Sequence, residues 1–598
     1  MKTSKYIYVA LLSLALGLVS CEDMLQEENF GKPTVDEMLQ SESNIISLVG
    51  QAYADLKFVH DHWGYWGVNT LTADEALCPT RAGGDWNDGG YWTNLNTHNW
   101  NAYGDAFRCI WNVTNEGAVL CNSLLATLSD AKENIDPKIY AQYVGELEVL
   151  RSYYYYMLFD CFGRIPYMED YSDRVQAQMQ PYEVWAHLVA CLEKNAPNMA
   201  VVTDANRSMQ LGRATQGVAY TLLARLYLNA ESFGCTPENI ATVKRQIEPF
   251  DMVMETAYTA DETMIKIQSK EDFYTNAVRC CDKVINSGSY RIENNFFNNF
   301  LIENDESAEN ILVIPEDGTK NNEVNYDKVK NKLQITFLTL HYAHQKTWPA
   351  LQDKPWNGFC ARPDFIAIYN DDDARGPGAE GLGTNNTKRW GWFIGPVCKE
   401  GDNKPVVDDS YTCHEDSLVI ITKEVVNVTD PTRPLAAAIR TSGARMYKYE
   451  VDKKGEYRYC QNNFVLLRYA DVILMKTEAI LRGGAGDMGN VSSAIQTLKK
   501  RAFAYSANAE AAFDAAYPDA FTSIDGGLTG GILAERGREL AWECARRRDL
   551  IRFGQFENVQ YVTNKAKTRQ WFPIPYKVLE TSSLDEHGEK VWTQNEGY

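Results

Sequence analysis

The stretch 81–92, RAGGDWNDGGYW, places a tryptophan among carboxylates, an amide and a guanidinium. This tryptophan, Trp86, has a glycine pair on each side, which favours a position clear of the core. An aromatic face covers the apolar C–H face of a sugar ring, and polar side chains hydrogen-bond the ring's hydroxyls. The alternative interpretation is that Trp86 or Trp92 packs into the core beneath the loop. The sugar contacts predicted from this stretch are Arg81, Asp85, Trp86 and Asn87.

Motifs for catalysis are not evident in the sequence. We find no GxSxG, P-loop, HExxH or Rossmann motif, and acidic residues are too numerous for a glycosidase pair to be found or excluded. The pairs His60/His62 and His341/His344 have metal-like spacings, but neither has an obvious third ligand nearby. We therefore predict a protein that is not an enzyme, with no catalytic residues, no metal site and no cofactor.

Charge and aromatic content limit the partners of the chain. Its 598 residues carry a formal net charge of −21, with a pI near 5.0. This balance argues against nucleic acid, which needs a basic surface, and against polyanionic ligands. The 34 tyrosines and 14 tryptophans exceed what packing requires and suit the binding of flat apolar faces.

The N-terminus is typical of a lipoprotein signal peptide, which we assign to residues 1–20. Lys2 and Lys5 precede an apolar run that ends in Leu-Val-Ser before Cys21, a pattern that resembles a bacterial lipobox. Cys21 is then the predicted lipidation site, since several acyl chains anchor a protein stably to a membrane. An ordinary secretory signal with an incidental cysteine is the alternative. Residues 21–34 are predicted to form an N-terminal tether.

The segment Asn462–Arg482, NNFVLLRYADVILMKTEAILR, is predicted to be the central helix of the scaffold. So few of its residues are polar that a helix here would be packed on nearly all sides. Buried charges persist only when they are paired. Arg468 and Asp471 have the i,i+3 spacing of neighbours on one helix face, so we predict an ion pair between them.

Helix–turn–helix units recur along the chain. The segments 464–482 and 491–503, joined by GGAGDMGN, form one such unit at about one tetratricopeptide period, roughly 34 residues. The predicted fold class is mostly α, a tetratricopeptide-like α-solenoid scaffold with long loop-rich insertions and a few short strands. We expect a single domain over residues 35–598, with irregular insertions near 59–104 and 295–460.

Four stretches occur in a characteristic order along the C-terminal part of the chain. They are FVLLRYADVILMKTEAILR at 464–482, LAERGRELAWECARRRDLIRFGQF at 533–556, WFPIP at 571–575 and QNEGY at 594–598. Together they resemble the SusD/RagB family, the surface glycan-binding lipoproteins of Bacteroidetes. The family usually ends in QNPGY, so Glu596 replaces a proline in the tail.

This resemblance implies the same helical scaffold and a role in nutrient capture. The expected function is to bind a neutral oligosaccharide or polysaccharide at the cell surface and deliver it to a SusC-like TonB-dependent transporter. Alternatives are peptide binding, as in the RagB branch, and glycan cleavage. The resemblance also implies a ligand tryptophan from the loop that holds Trp86 and further aromatic contacts from the middle insertion. The candidates for those further contacts are Tyr326, Trp348 and Trp356.

The expected location follows from the same resemblance and from the N-terminus. The acidic residues directly after Cys21 are similar to the surface-export signals of Bacteroidetes lipoproteins. The chain is therefore expected at the outer membrane, exposed at the cell surface and held by its lipid anchor.

Overall fold

The computed structural model describes most of the chain after the N-terminus. The described residues are 39–243, 263–316, 335–378, 388–402, 404–408, 418–429, 436–454 and 461–598. Cys21 and Tyr326 lie outside these ranges, as do the segments predicted to be the signal peptide and the tether. Within the described ranges no helix combines the length and the apolar character needed to cross a membrane.

Helices dominate the described residues. In chain order they are α1 (Glu42–Gly50), α2 (Tyr65–Thr72), α3 (Tyr91–Thr97), α4 (Asp105–Asp130), α5 (Pro137–Phe162), α6 (Pro181–Asn195), α7 (Arg207–Gln210), α8 (Gln216–Leu228), α9 (Pro237–Ile240), α10 (Lys270–Asn286), α11 (Ile335–Thr339), α12 (His344–Thr347), α13 (Pro363–Ile366), α14 (Tyr469–Leu481), α15 (Ser492–Ala502), α16 (Ala509–Ala516), α17 (Gly531–Glu539), α18 (Arg546–Arg552) and α19 (Tyr576–Thr581).

The strands are short and form small separate sheets. They are β1 (Ala76–Leu77), β2 (Ile165–Pro166), β3 (Gln178–Met179), β4 (Asn310–Ile314), β5 (Cys360–Ala361), β6 (Pro377–Gly378), β7 (Trp392–Phe393), β8 (Gly395–Pro396), β9 (Ile420–Ile421), β10 (Asn427–Thr429), β11 (Ala436–Ala438), β12 (Arg445–Met446) and β13 (Phe464–Arg468). The antiparallel pairs are β1 with β5, β2 with β3, β4 with β13, β8 with β9, and β10 with β11, while β7 lies between β12 and β6.

The long helices pack in sequence, as expected for a solenoid. Helix α4 packs on α5, α5 on α6, α6 on α8, α8 on α10, and α10 on α14. Close approach of α4 and α5 depends on Gly117, because an added Cβ there would lie 2.5 Å from the Tyr154 ring. The predicted fold class, a mostly helical tetratricopeptide-like scaffold with a few short strands, is confirmed.

Helix α5 shows how the sequence sets its own boundaries. Asp136 caps its start by accepting hydrogen bonds from the amides of Lys138 and Ile139, and Pro137 occupies the first turn. The helix ends at Gly163, whose φ of 66° suits glycine. Its four consecutive tyrosines, 153–156, are all buried, so core packing accounts for them.

The predicted central helix is correct only in its C-terminal part. Phe464–Arg468 is strand β13, which pairs with β4, and the helix begins at Tyr469. A short apolar run buried on all sides has no period that distinguishes a strand from a helix. The prediction of one continuous helix over Asn462–Arg482 was therefore wrong at its start.

The region 59–104 also differs from the prediction of an irregular insertion. It contains two helices, α2 and α3. Every residue of α2 is buried, so the helix has no polar face and shows no amphipathic period in the sequence.

A cluster of buried ions joins β13 to the C-terminal helices. Arg468 donates to Glu309 at 2.5 Å and to Glu539 at 2.7 Å, and it also pairs with Glu543. Glu539 accepts from two further arginines, Arg501 at 2.5 Å and Arg375 at 2.9 Å. Burial alone would raise the pKa of Glu539, but these guanidinium groups hold it well below its ordinary value.

The predicted ion pair between Arg468 and Asp471 does not form. Asp471 instead contacts Arg225 of α8 at 2.8 Å and Arg536 of α17 at 2.9 Å. Because Arg468 ends a strand and Asp471 lies in the first turn of α14, the helical i,i+3 geometry does not apply between them. Both side chains are buried and paired, but across the fold rather than along one helix.

We predict that Glu539→Gln destabilises the protein strongly. The change removes one negative charge from among three buried arginines, and breaking a buried ion pair costs on the order of 3–5 kcal/mol. The control is Asp170→Asn, which removes a carboxylate paired with Arg174 at the surface and should cost about 0.5 kcal/mol or less. Thermal unfolding midpoints compare the two variants, and equal midpoints would contradict the role assigned to Glu539.

Candidate functional site

An open pocket of about 380 Å³ lies where the stretch 81–92 meets two other segments of the chain. The second segment precedes α2, and the third runs from α11 to β5. Five of the lining side chains are tryptophan or tyrosine rings, two are aspartates and one is a histidine. The lining residues are His62, Trp63, Asp85, Trp86, Asp88, Trp92, Tyr342 and Trp356. We call this site the aromatic pocket.

Trp86 is held in place on one side and lines the pocket on the other. Its φ of 60° is left-handed, and its indole N–H donates to the carbonyl of Trp356 at 2.9 Å. The ring lies so close to Gly358 that an added Cβ there would be 2.4 Å away. The partly buried ring therefore combines features of the two sequence-based interpretations, exposure to a ligand and packing beneath the loop.

The other rings surround Trp86 at an angle. The centroids of Trp86 and Trp356 are 6.2 Å apart with a 49° interplanar angle, and those of Trp86 and Trp92 are 5.5 Å apart at 66°. Below them, the imidazole of His62 stacks on Trp92 at 5.6 Å. This arrangement is a concave aromatic cup rather than a flat platform.

Two carboxylates lie at the mouth of the cup. Asp88 accepts from the indole N–H of Trp92 at 2.6 Å, and Asp85 accepts from the Tyr342 hydroxyl. Burial, together with the Asp85 carboxylate, raises the pKa of Tyr342. Both aspartates are exposed and keep free acceptor capacity, because a carboxylate accepts several hydrogen bonds.

Two cationic side chains lie close to the Tyr342 ring. Lys354 lies 4.6 Å and Arg440 5.2 Å from the centroid of the Tyr342 ring. Over the part of the chain that the structure describes, the lining of the aromatic pocket includes no lysine or arginine.

Arg81 is fully buried and does not line the pocket. Its guanidinium donates to the carbonyls of Asn357 at 2.9 Å, Gly358 at 2.9 Å and Ser442 at 2.8 Å. These bonds tie the 81–92 stretch to the turn that carries Trp356. Arg81 thus positions the site, and its predicted contact with a sugar hydroxyl does not fit its location.

Asn87 and Trp348 are likewise not among the lining residues. Asn87 is partly buried, and its carbonyl accepts from the amide of Gly90. Trp348 is 3% exposed, belongs to a separate apolar cluster and stacks on His344 at 5.9 Å. An apolar core position thus accounts for Trp348, whereas Trp356 lines the pocket.

Five lining residues were not among the predicted contacts: His62, Trp63, Asp88, Trp92 and Tyr342. The histidine spacings in HDHW and LHYAHQ gave no indication of a sugar site, although both segments reach the pocket through His62, Trp63 and Tyr342. Across the ranges described above, no group of three or more His, Cys, Asp or Glu side chains is placed to hold a metal ion. Burial lowers the pKa of His344 to about 3, consistent with a neutral core imidazole.

A helical repeat scaffold that presents an aromatic pocket from inserted segments defines a class of binding protein. Comparison of the chain with known proteins specifies the family within that class. A model described as SusD family matches residues 318–570, and one described as starch-binding associating with outer membrane matches residues 80–228. The starch-binding protein SusD of Bacteroides thetaiotaomicron is 22% identical over 482 residues, 76% of this chain and 72% of that protein. The chain belongs to the SusD/RagB family.

Solved structures share the fold over most of the chain. A surface glycan-binding protein A from Bacteroides thetaiotaomicron in complex with laminarihexaose has a TM-score of 0.60 at 17% identity, with 92% of this chain and 99% of that chain covered. A laminarin-binding SusD-like protein has a TM-score of 0.61 at 16% identity, with 93% and 99% covered. A SusD superfamily protein from Parabacteroides distasonis has a TM-score of 0.62 at 15% identity, with 95% and 100% covered.

Proposed function

We propose that this protein binds a neutral oligosaccharide in the aromatic pocket. The observation that carries the proposal is the combination of partly exposed tryptophan rings and exposed carboxylates with spare acceptor capacity around one open cavity. Trp86 and Trp356 offer aromatic faces to the C–H face of a sugar ring. Asp85 and Asp88 accept hydrogen bonds from the hydroxyls at its edge.

Charge favours a neutral ligand over an acidic one. The rim carries two aspartates, and the chain as a whole has a formal net charge of −21. Uronic or sulfated sugars would bring their own negative charge to this rim, where like charges repel. A neutral glucan meets no such repulsion.

The relatives support the same ligand class. One is named for starch binding, one for laminarin binding, and one was solved with laminarihexaose. Both polysaccharides are neutral glucans, so malto- and laminari-oligosaccharides are the first probes to use. We propose binding without cleavage, so the probes should stay intact after long incubation with the protein.

We predict that Trp86→Ala raises the Kd for the bound oligosaccharide at least about thirtyfold. Truncating a central aromatic in a desolvated site costs about 2 kcal/mol, which corresponds to that factor. Calorimetric titration with laminarihexaose and maltohexaose measures the effect. Because Trp86 also contacts Trp356 and Gly358, some loss of thermal stability is expected.

The matched control is Trp111→Ala. Trp111 is 4% exposed and packs edge-on against Phe162, away from the pocket lining. Its removal should lower the melting temperature more than Trp86→Ala does, since a buried tryptophan truncation costs about 3–5 kcal/mol. Folded Trp111→Ala protein should bind like the wild type. Unchanged binding by folded Trp86→Ala would contradict the proposed site.

We further propose that the protein is lipidated at Cys21, displayed on the outer membrane, and delivers its glycan to a SusC-like TonB-dependent transporter. The lipobox-like sequence supports the anchor, and the family supports the partner. In cells, wild-type protein should stay in the membrane fraction and cross-link to an outer-membrane transporter. Cys21→Ala should leave the precursor unprocessed or the protein unanchored. Release of wild type without detergent would contradict the anchor, and cross-links that contain no transporter would contradict delivery.

A further inference from the structure

Two exposed tyrosines lie side by side on the surface, one between α3 and α4 and the other at the start of α19. Tyr103 is 71% exposed and Tyr576, the first residue of α19, is 41% exposed. Their ring centroids are 4.8 Å apart with a 38° interplanar angle. A backbone hydrogen bond of 2.9 Å from the Tyr576 amide to the Ala102 carbonyl joins the two segments. The exposed pair is therefore part of a fixed surface feature.

This pair is connected to the aromatic pocket through two further rings. Trp63 lines the pocket and stacks on Tyr91, with centroids 5.2 Å apart and a 26° interplanar angle. Tyr91 in turn lies against the backbone beside Tyr103, because a Cβ added at the neighbouring Gly104 would be 3.4 Å from the Tyr91 ring. Trp63 and Tyr91 are both partly exposed.

Polar groups accompany these rings, as they do in the pocket. The neighbouring Glu580 carboxylate raises the pKa of Tyr576, and its side chain is exposed. Asp105, which starts α4 two residues after Tyr103, has a 62% exposed carboxylate side chain. Aromatic faces with hydrogen-bond acceptors beside them have the chemistry of the sugar contacts already described.

We propose that Trp63, Tyr91, Tyr103 and Tyr576 form an aromatic track that holds a linear neutral glycan chain beyond the pocket. The inference rests on the proposed function and extends it from one sugar-binding pocket to a longer binding surface. Continuity with the pocket identifies the occupant as the same chain. The protein is then selective for chain length, because a disaccharide fills the pocket alone while a longer chain also contacts the track.

The test compares laminaribiose with laminarihexaose, and maltose with maltohexaose, on wild type and Tyr103→Ala by calorimetric titration. Wild type should bind the longer sugar of the recognised series more tightly. Tyr103→Ala should raise the Kd for the longer sugar on the order of fivefold, as loss of an aromatic contact does, and leave the Kd for the shorter sugar unchanged. Because Tyr103 is exposed, its removal should leave the melting temperature within error.

Tyr171→Ala is the matched control. This tyrosine is 62% exposed and makes no ring contact with the track in the described part of the chain. Its removal should change neither Kd. Wild-type affinity that is independent of chain length, or a Tyr103→Ala variant that binds the longer sugar normally, would overturn the track.

The outcomes separate the track from the pocket. If Trp86→Ala no longer binds the shorter or the longer sugar while Tyr103→Ala binds both normally, the proposed pocket function stands and the track is wrong. If wild type binds no sugar of either series, the proposed function and the track both fail. Equal loss of short and long sugars in Tyr103→Ala would place Tyr103 in the pocket site itself and also overturn the track.

Discussion

The scaffold depends most on the ion pairs that the buried Glu539 carboxylate makes with three arginines. The carboxylate accepts hydrogen bonds from Arg468 at the end of β13, Arg501 in α15 and Arg375 in the middle insertion. These three segments are distant in sequence, and Glu539 is a carboxylate that all three guanidinium groups share. Because a buried charge is costly without its partners, bringing the three segments together at this residue stabilises the fold. The helical repeats and the insertion are thereby fixed relative to each other.

The same region connects directly to the aromatic pocket. Three residues after Glu539, the carbonyl of Trp542 accepts a hydrogen bond from the Trp66 indole at 2.9 Å. Trp66 stacks on Phe359 with centroids 5.5 Å apart, and Phe359 contacts the Trp86 ring edge-on at 6.1 Å. The pocket therefore rests on a continuous buried aromatic layer. A preorganised site of this kind binds its ligand without the cost of ordering loops.

The sequence predicted the helical scaffold well because long amphipathic helices and ordered motifs are strong local signals. Where a segment is buried on all sides, its secondary structure and its contacts were predicted less well. The apolar run of β13 has no period that separates strand from helix, and the partners of Arg468 come from residues far along the chain. At the site, residue type singled out Trp86 and Asp85, and both line the aromatic pocket. Arg81 and Trp348 have suitable side chains, but their burial depends on tertiary contacts that no local pattern encodes.

We propose that a glycan occupies the cup between the 81–92 stretch and the turn around Trp356. Hydrogen–deuterium exchange with and without saturating laminarihexaose or maltohexaose, whichever binds, tests it most directly. We predict slower exchange of backbone amides in segments 85–92 and 338–358, with the scaffold helices α5 and α14 unchanged. Protection confined to another surface, with both pocket segments exchanging as in the free protein, would contradict it.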